Sequence, residues 1–144
     1  MDATFNLERF VDAQAECFDQ VLAELRAGHK RSHWIWFIFP QLKGLGLSSQ
    51  SMYFGIGSLE EAVAYLRHPV LGPRLGRCTR LVMLVEGRTI REILGYPDDL
   101  KFRSSMTLFA HAAAHAAMDS TDFNDALKKY FDGEPDSLTV ALLL

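Results

Sequence analysis

Apolar residues recur at steps of three and four along most of this chain, and turn-forming residues cut that rhythm into short lengths. Such a pattern folds as a bundle of short amphipathic helices. Leu7, Phe10, Val11, Phe18, Val21, Leu22 and Leu25 mark the first length, with Asn6 as its expected N-cap and Gly28 as its stop. Ser58-Leu59-Glu60-Glu61 has the form of a capping box and opens a helix that ends before Pro69. Leu75, Cys78, Leu81, Val82 and Val85 line the inner face of the next, with Pro73 in its first turn and Gly87 as its stop. Thr89-Ile90-Arg91-Glu92 is a second capping box, and Gly95 ends its short helix. Pro97-Asp98-Asp99 opens the longest late helix, with Asp98 as expected N-cap and Phe102, Met106, Phe109, Ala113 and Ala117 as its stripe. Ser120 or Thr121 caps another, whose inner face is Phe123, Leu127, Tyr130 and Phe131. A closing apolar helix runs from Ser137 to Leu144, its last leucines expected to pack into the core. The expectation is a mainly α fold: one domain over 1–144, about seven helices, and one long Gly/Ser-rich loop.

Residues 30–58 break the rhythm. Lys30-Arg31-Ser32-His33-Trp34-Ile35-Trp36-Phe37-Ile38-Phe39-Pro40-Gln41 holds both tryptophans of the chain. It is apolar on both faces, so periodicity alone does not separate helix from strand. Helical neighbours and the absence of an evident partner strand favour a short buried helix from His33 to Phe39, capped by Ser32 and ended by Pro40. Gly44 through Gly57 is expected to be a loop, and loops of that length in small domains are often functional.

Charge singles out the same region. The formal net charge is −3, yet residues 26–103 hold 12 of the 15 Lys and Arg, and no Asp or Glu falls between Glu24 and Glu60. A locally cationic field favours an anionic ligand, while the acidic balance of the whole disfavours nucleic acid. No apolar run is long enough to span a bilayer, and the start lacks the basic-then-apolar form of a secretory leader. Cys17 and Cys78 lie in helical patterns without C-x-x-C spacing, so two reduced thiols and a cytoplasmic location are expected.

Gly44-x-Gly46 with Ser48 and Ser51 could present N–H groups and hydroxyls to a phosphate, with Lys30 and Lys43 holding charge. It lacks the Gly-Lys-Ser/Thr of a nucleotide-binding P-loop. Trp34 and Trp36, two apart, point to different sides, one to the core and one to a cleft where it could stack a planar ring. His33 can exchange a proton near neutral pH or serve as a structural histidine. Ser32 and Gln41 flank the aromatics, and Lys101, Ser104 and Ser105 form a polar arc on the late helix. His111 and His115 have the i,i+4 spacing of metal ligands, but no third ligand is evident, so neither metal nor cofactor is expected. No catalytic residue is assigned: Glu61, Asp99 and Asp136 are the carboxylates a hydrolytic cleft would have to recruit, and each is accounted for as a helix cap.

These strings resemble a known family. Lys30-x-Ser32-His33-Trp34-x-Trp36-Phe37-Ile38-Phe39-Pro40-Gln41, Gly44-Leu45-Gly46 with Ser48, and His68-Pro69-x-Leu71-Gly72-x-Arg74-Leu75 look like the bacterial domain-of-unknown-function family 1810. Asp99-Leu100-Lys101-Phe102-x-Ser104-Ser105-Met106-Thr107-Leu108-Phe109 and Gly133-x-x-Asp136-x-x-Thr139 are similar to its later blocks. The resemblance implies a small helical single-domain protein and supplies no activity. A fainter similarity, to NADAR-type domains associated with ADP-ribose and N-glycosidic chemistry, transfers no catalytic residue. The resulting expectation is a site for a phosphorylated, nucleotide-like or ADP-ribose-like small molecule, with hydrolysis as its reaction class. The alternative is a non-catalytic interaction or regulatory domain whose aromatic stretch packs a partner or a second copy as a homodimer.

Overall fold

The computed structural model describes residues 5–144, and among these it contains ten helices and no strand beyond a single bridge between Leu42 and Ile56. They are α1 (Glu8–Ala15), α2 (Phe18–Arg26), α3 (Ile35–Ile38), α4 (Ser49–Tyr53), α5 (Leu59–Arg67), α6 (Leu71–Leu84), α7 (Ile90–Leu94), α8 (Asp98–His115), α9 (Thr121–Phe131) and α10 (Ser137–Leu143).

The count exceeds the expected seven for local reasons. The first apolar length splits at Glu16 and Cys17, because its halves face different partners: α1 packs on α3, and α2 on α6. The aromatic run is a helix of only four residues, entered through Trp34 with no side-chain cap, so Ser32 does not cap it. The Gly/Ser-rich loop is interrupted by α4, where Ser48 Oγ accepts the Ser51 N–H at 3.1 Å. A serine at this position satisfies an N–H that an isolated helix start leaves unpaired. Asn6 lies at φ 49°, and Leu7 takes the N-cap position instead. Pro97, not Asp98, precedes α8.

The capping boxes divide. Thr89 and Glu92 form the full reciprocal pair. Ser58 caps α5 through the Glu61 N–H, but the Glu61 carboxylate turns to the Gly57 N–H at 2.9 Å and to Arg9 at 2.8 Å. That contact ties α1 to α5. Gln14 Nε2 meets Tyr65 Oη at 3.1 Å further along both helices, so α1 and α5 run in the same direction.

α8 is the central helix, packing against α5, α9, α7, α10 and α3. Its buried Phe102, Met106, Leu108, Phe109, Ala112 and Ala113 spread round more than one face, as expected of a helix enclosed by neighbours. Phe102 meets Phe39 edge-on at 4.9 Å, and Phe109 lies 5.2 Å from Tyr65. Thr107 Oγ1 accepts the Asp136 N–H at 2.9 Å and anchors the start of α10. Only part of the C-terminal expectation holds: Leu143 packs on the core, whereas Leu142 and Leu144 are exposed. One face of α10 is fully used by α8, which leaves Leu138 and Leu142 outside.

The turn from α5 to α6 requires glycine at position 72, where a Cβ would lie 2.1 Å from the Leu66 carbonyl oxygen. No described helix is long and apolar enough to cross a membrane.

Candidate functional site

The carboxylate-free window of the sequence is not carboxylate-free in space. Glu24 reaches into it from α2. Its buried side chain accepts hydrogen bonds from Gln20 Nε2 at 2.7 Å, the Arg31 N–H at 2.8 Å, the Ser32 N–H at 3.1 Å, Ser32 Oγ at 2.5 Å and Trp34 Nε1 at 2.9 Å. Burial alone would raise its pKa. The hydrogen bonds from Ser32, Arg31, Gln20 and Trp34 outweigh burial and bring the carboxyl down to about 2, against an ordinary 4.5.

Asp98 supplies the second negative charge. Its Oδ2 lies 2.7 Å from Lys30 Nζ, whose side chain is only 6% exposed, and its Oδ1 lies 3.9 Å from Lys101 Nζ. Each ammonium also stands 5.0 Å from an indole: Lys30 over Trp34, Lys101 over Trp36. The structure thus brings Lys30, Ser32, Trp34, Trp36 and Lys101 together: Asp98 pairs with both lysines, and Glu24 takes the Ser32 and Trp34 donors. Trp34 is core and Trp36 half-buried. Ser104 Oγ donates to the Leu100 carbonyl at 3.2 Å, a bond within its own helix. Trp36 Nε1 and Ser105 Oγ are buried without a hydrogen-bond partner among the described residues.

The loop residues form a second group. Ser48 Oγ donates to Ser51 Oγ at 2.9 Å, and a Cβ at Gly46 would meet Ser51 Oγ at 2.6 Å and Gln41 Nε2 at 3.6 Å. Gln41 and Ser51 therefore stand against Gly46, and the Ser48 hydroxyl caps α4. His33 and Lys43 are exposed; the Lys43 N–H donates to the Ile56 carbonyl at 2.8 Å.

A large concavity lies elsewhere. It is a groove of about 970 Å³ along the outer face of α5. Glu60, Val63, Ala64 and Arg67 line it at positions i, i+3, i+4 and i+7, one face of the helix. Phe5, Glu8 and Val11 form the α1 wall, and His115 and Ala116 come from the end of α8. His68, Pro69 and Val70 of the α5–α6 turn complete it.

His68 is the most constrained polar group there. It is 9% exposed, and its Nδ1 lies 3.1 Å from the Val70 N–H and 3.3 Å from the Leu71 N–H. Two donors converging on Nδ1 make it the acceptor, so the proton of the neutral ring resides on Nε2. The imidazole thereby caps the start of α6 and keeps one N–H donor with no partner among the described residues. Glu8, Glu60 and Arg67 make no ion pair among the described residues. The groove can therefore offer two carboxylate acceptors, a guanidinium, the His68 N–H and the His115 ring around an apolar floor.

Sequence reasoning passed over this place. Glu8 and Glu60 stand in helix first turns and Arg67 in a last turn, where the helix dipole already accounts for them. His68 belongs to the string matched to the family, which was the one available signal, and no role attached to it. His115 of the i,i+4 pair does reach the groove. His111 is exposed and hydrogen-bonds to the Thr107 carbonyl through Nδ1, and no group of three metal-ligating residues is present among the described residues.

The chain is 34% identical over 98 residues to an aspartate–tRNA ligase of Leuconostoc mesenteroides; the matched part covers 66% of this chain but 16% of that protein. A conserved hypothetical protein from Mycobacterium tuberculosis, Rv1873, solved by crystallography, superposes with a TM-score of 0.92 at 57% identity, covering 96% of each chain. The family model described as protein of unknown function DUF1810 matches residues 4–143, nearly the full sequence, and the chain belongs to that family.

Proposed function

We propose that this chain binds a phosphorylated, nucleotide-like small molecule in the α5 groove. One observation carries the reading: the groove holds about 970 Å³, has an apolar floor, and carries Arg67 and His68 as donors not paired within the described structure. Ligand sites are typically clefts of roughly 300–1,000 Å³ with apolar linings and a few convergent polar groups. The sequence-based expectation of an anionic ligand is retained, and its location moves from Lys30 and Lys43 to Arg67 and His68. Hydrolysis is the reaction class we attach to the site, with no residue assigned to the proton transfer. Cys17 and Cys78 are both free thiols, which suits the reducing cytoplasm where such ligands abound.

The test is a thermal-unfolding screen against nucleotides, ADP-ribose and sugar phosphates. A ligand at about 100 times its Kd raises stability by ~2.7 kcal/mol, and Arg67→Ala should shrink that gain. An unchanged midpoint across the whole panel would sink the proposal.

The exposed Leu138, Leu142 and Leu144 favour a second reading, an interaction domain that associates through α10. Under it, sedimentation reports a mass that rises with concentration, and Leu142→Lys abolishes the rise.

A further inference from the structure

We infer that the groove selects a nucleotide whose base carries an exocyclic amine, an inference that rests on the phosphate-site reading above. The argument is one of charge order along α5. Arg9 meets Glu61 and Gln14 meets Tyr65, so α1 runs alongside α5 in the same direction, and Glu8 falls beside Glu60 at the start of both helices. Arg67 is seven residues further along α5, about 10 Å along the axis at 1.5 Å per residue. His68 follows it directly.

The groove therefore has an acidic end and a donor end, with Val63 and Ala64 of α5 between them. An ionised carboxylate only accepts hydrogen bonds, and a guanidinium only donates. The donor end suits phosphate oxygens, which Arg can engage through two N–H groups at once. The acidic end suits an amine-bearing base edge and disfavours one that presents a carbonyl oxygen at the same place, since carbonyl and carboxylate oxygens repel. A base–ribose–phosphate unit spans a comparable length, with the amine edge of its base at one end, its phosphate at the other, and the apolar-faced ring and the ribose between them. A uniformly anionic ligand would leave Glu8 and Glu60 facing like charge.

Isothermal titration of AMP, IMP and adenosine tests this, because AMP and IMP differ at the base position that holds the amine in one and a carbonyl in the other. The wild-type protein should bind AMP about tenfold more tightly than IMP, the size of one hydrogen bond to a charged acceptor. The variant E8Q/E60Q should lose that preference, weakening AMP and relieving the repulsion of IMP. Arg67→Gln should weaken AMP and IMP equally, leave their ratio intact, and leave adenosine unchanged. All three substituted residues are exposed, so unchanged unfolding midpoints should accompany these effects. Equal wild-type affinity for AMP and IMP, or equal weakening of both by E8Q/E60Q, overturns the selectivity while the phosphate-site reading stands. Binding of none of the three overturns both.

Discussion

Around the buried Glu24 and the half-buried Asp98, carboxylates meet Lys30, Ser32 and Trp34 at hydrogen-bond distance. Along α5, Glu8, Glu60 and Arg67 stand exposed without an ion pair among the described residues. Both regions combine carboxylates with cations. The difference lies in desolvation: a buried charge must be matched inside the protein or it destabilises the fold, whereas a charge on a groove wall keeps its water until something displaces it. A density of cations and aromatics in sequence therefore points as readily to a structural hub as to a binding site. The unpaired charges beside a concavity are the ones left for a ligand.

The largest effect that sharpens this contrast is expected at Glu24. Glu24→Ala leaves the Trp34 indole N–H buried without a partner and removes the acceptor for the Ser32 hydroxyl and two backbone N–H groups. A loss of about 3 kcal/mol or more is expected from chemical unfolding, since each stranded buried donor costs ~1–3 kcal/mol. A loss under about 0.5 kcal/mol would break the distinction between hub and groove.

The same carboxylate predicts an acid dependence of intermediate size. Its folded pKa, about 2, lies below its ordinary 4.5. The unfolded chain thus takes up a proton that the folded chain resists, and Glu24's contribution is full above 4.5 and lost as pH falls towards 2. Stability measured over that interval should fall more steeply in the wild type than in Glu24→Gln. Parallel curves would remove the hub's electrostatic role.

The smallest stability effects belong to the groove. Glu60→Gln and Arg67→Ala should each shift stability by no more than about 0.5 kcal/mol, as surface changes without partners do. A loss of several times that would mean these side chains are structural after all, and that the groove resembles the hub.

Much of the helical framework is legible in the sequence. The capping pair Thr89 and Glu92, Ser58 at the start of α5, and Phe102, Met106, Phe109 and Ala113 of the α8 stripe follow from local pattern, because a helix start and a buried face are satisfied within a few residues, whereas Ala117 lies past the helix end at φ 57°. The split between α1 and α2 was not legible, since it depends on which helices pack against each half. Nor was α4, whose single turn is too short to carry a periodic signal. The groove was hidden for a related reason: Glu8 on α1, Arg67 on α5 and His115 on α8 are distant in sequence, and each is unremarkable on its own helix.

By itself, then, the sequence determined a mainly helical chain, the caps at Ser58 and Thr89, much of the inner faces of its helices, and its family. Those properties arise from interactions a few residues apart. Only the tertiary structure decided where charge is neutralised and where it is left free. Glu24 and Asp98 approach the aromatic stretch from outside its carboxylate-free window, while α1, α5 and α8 converge to frame a groove that no linear motif announces. Electrostatic and packing partners are chosen by distance in space, and a charge pattern along the chain does not carry that distance.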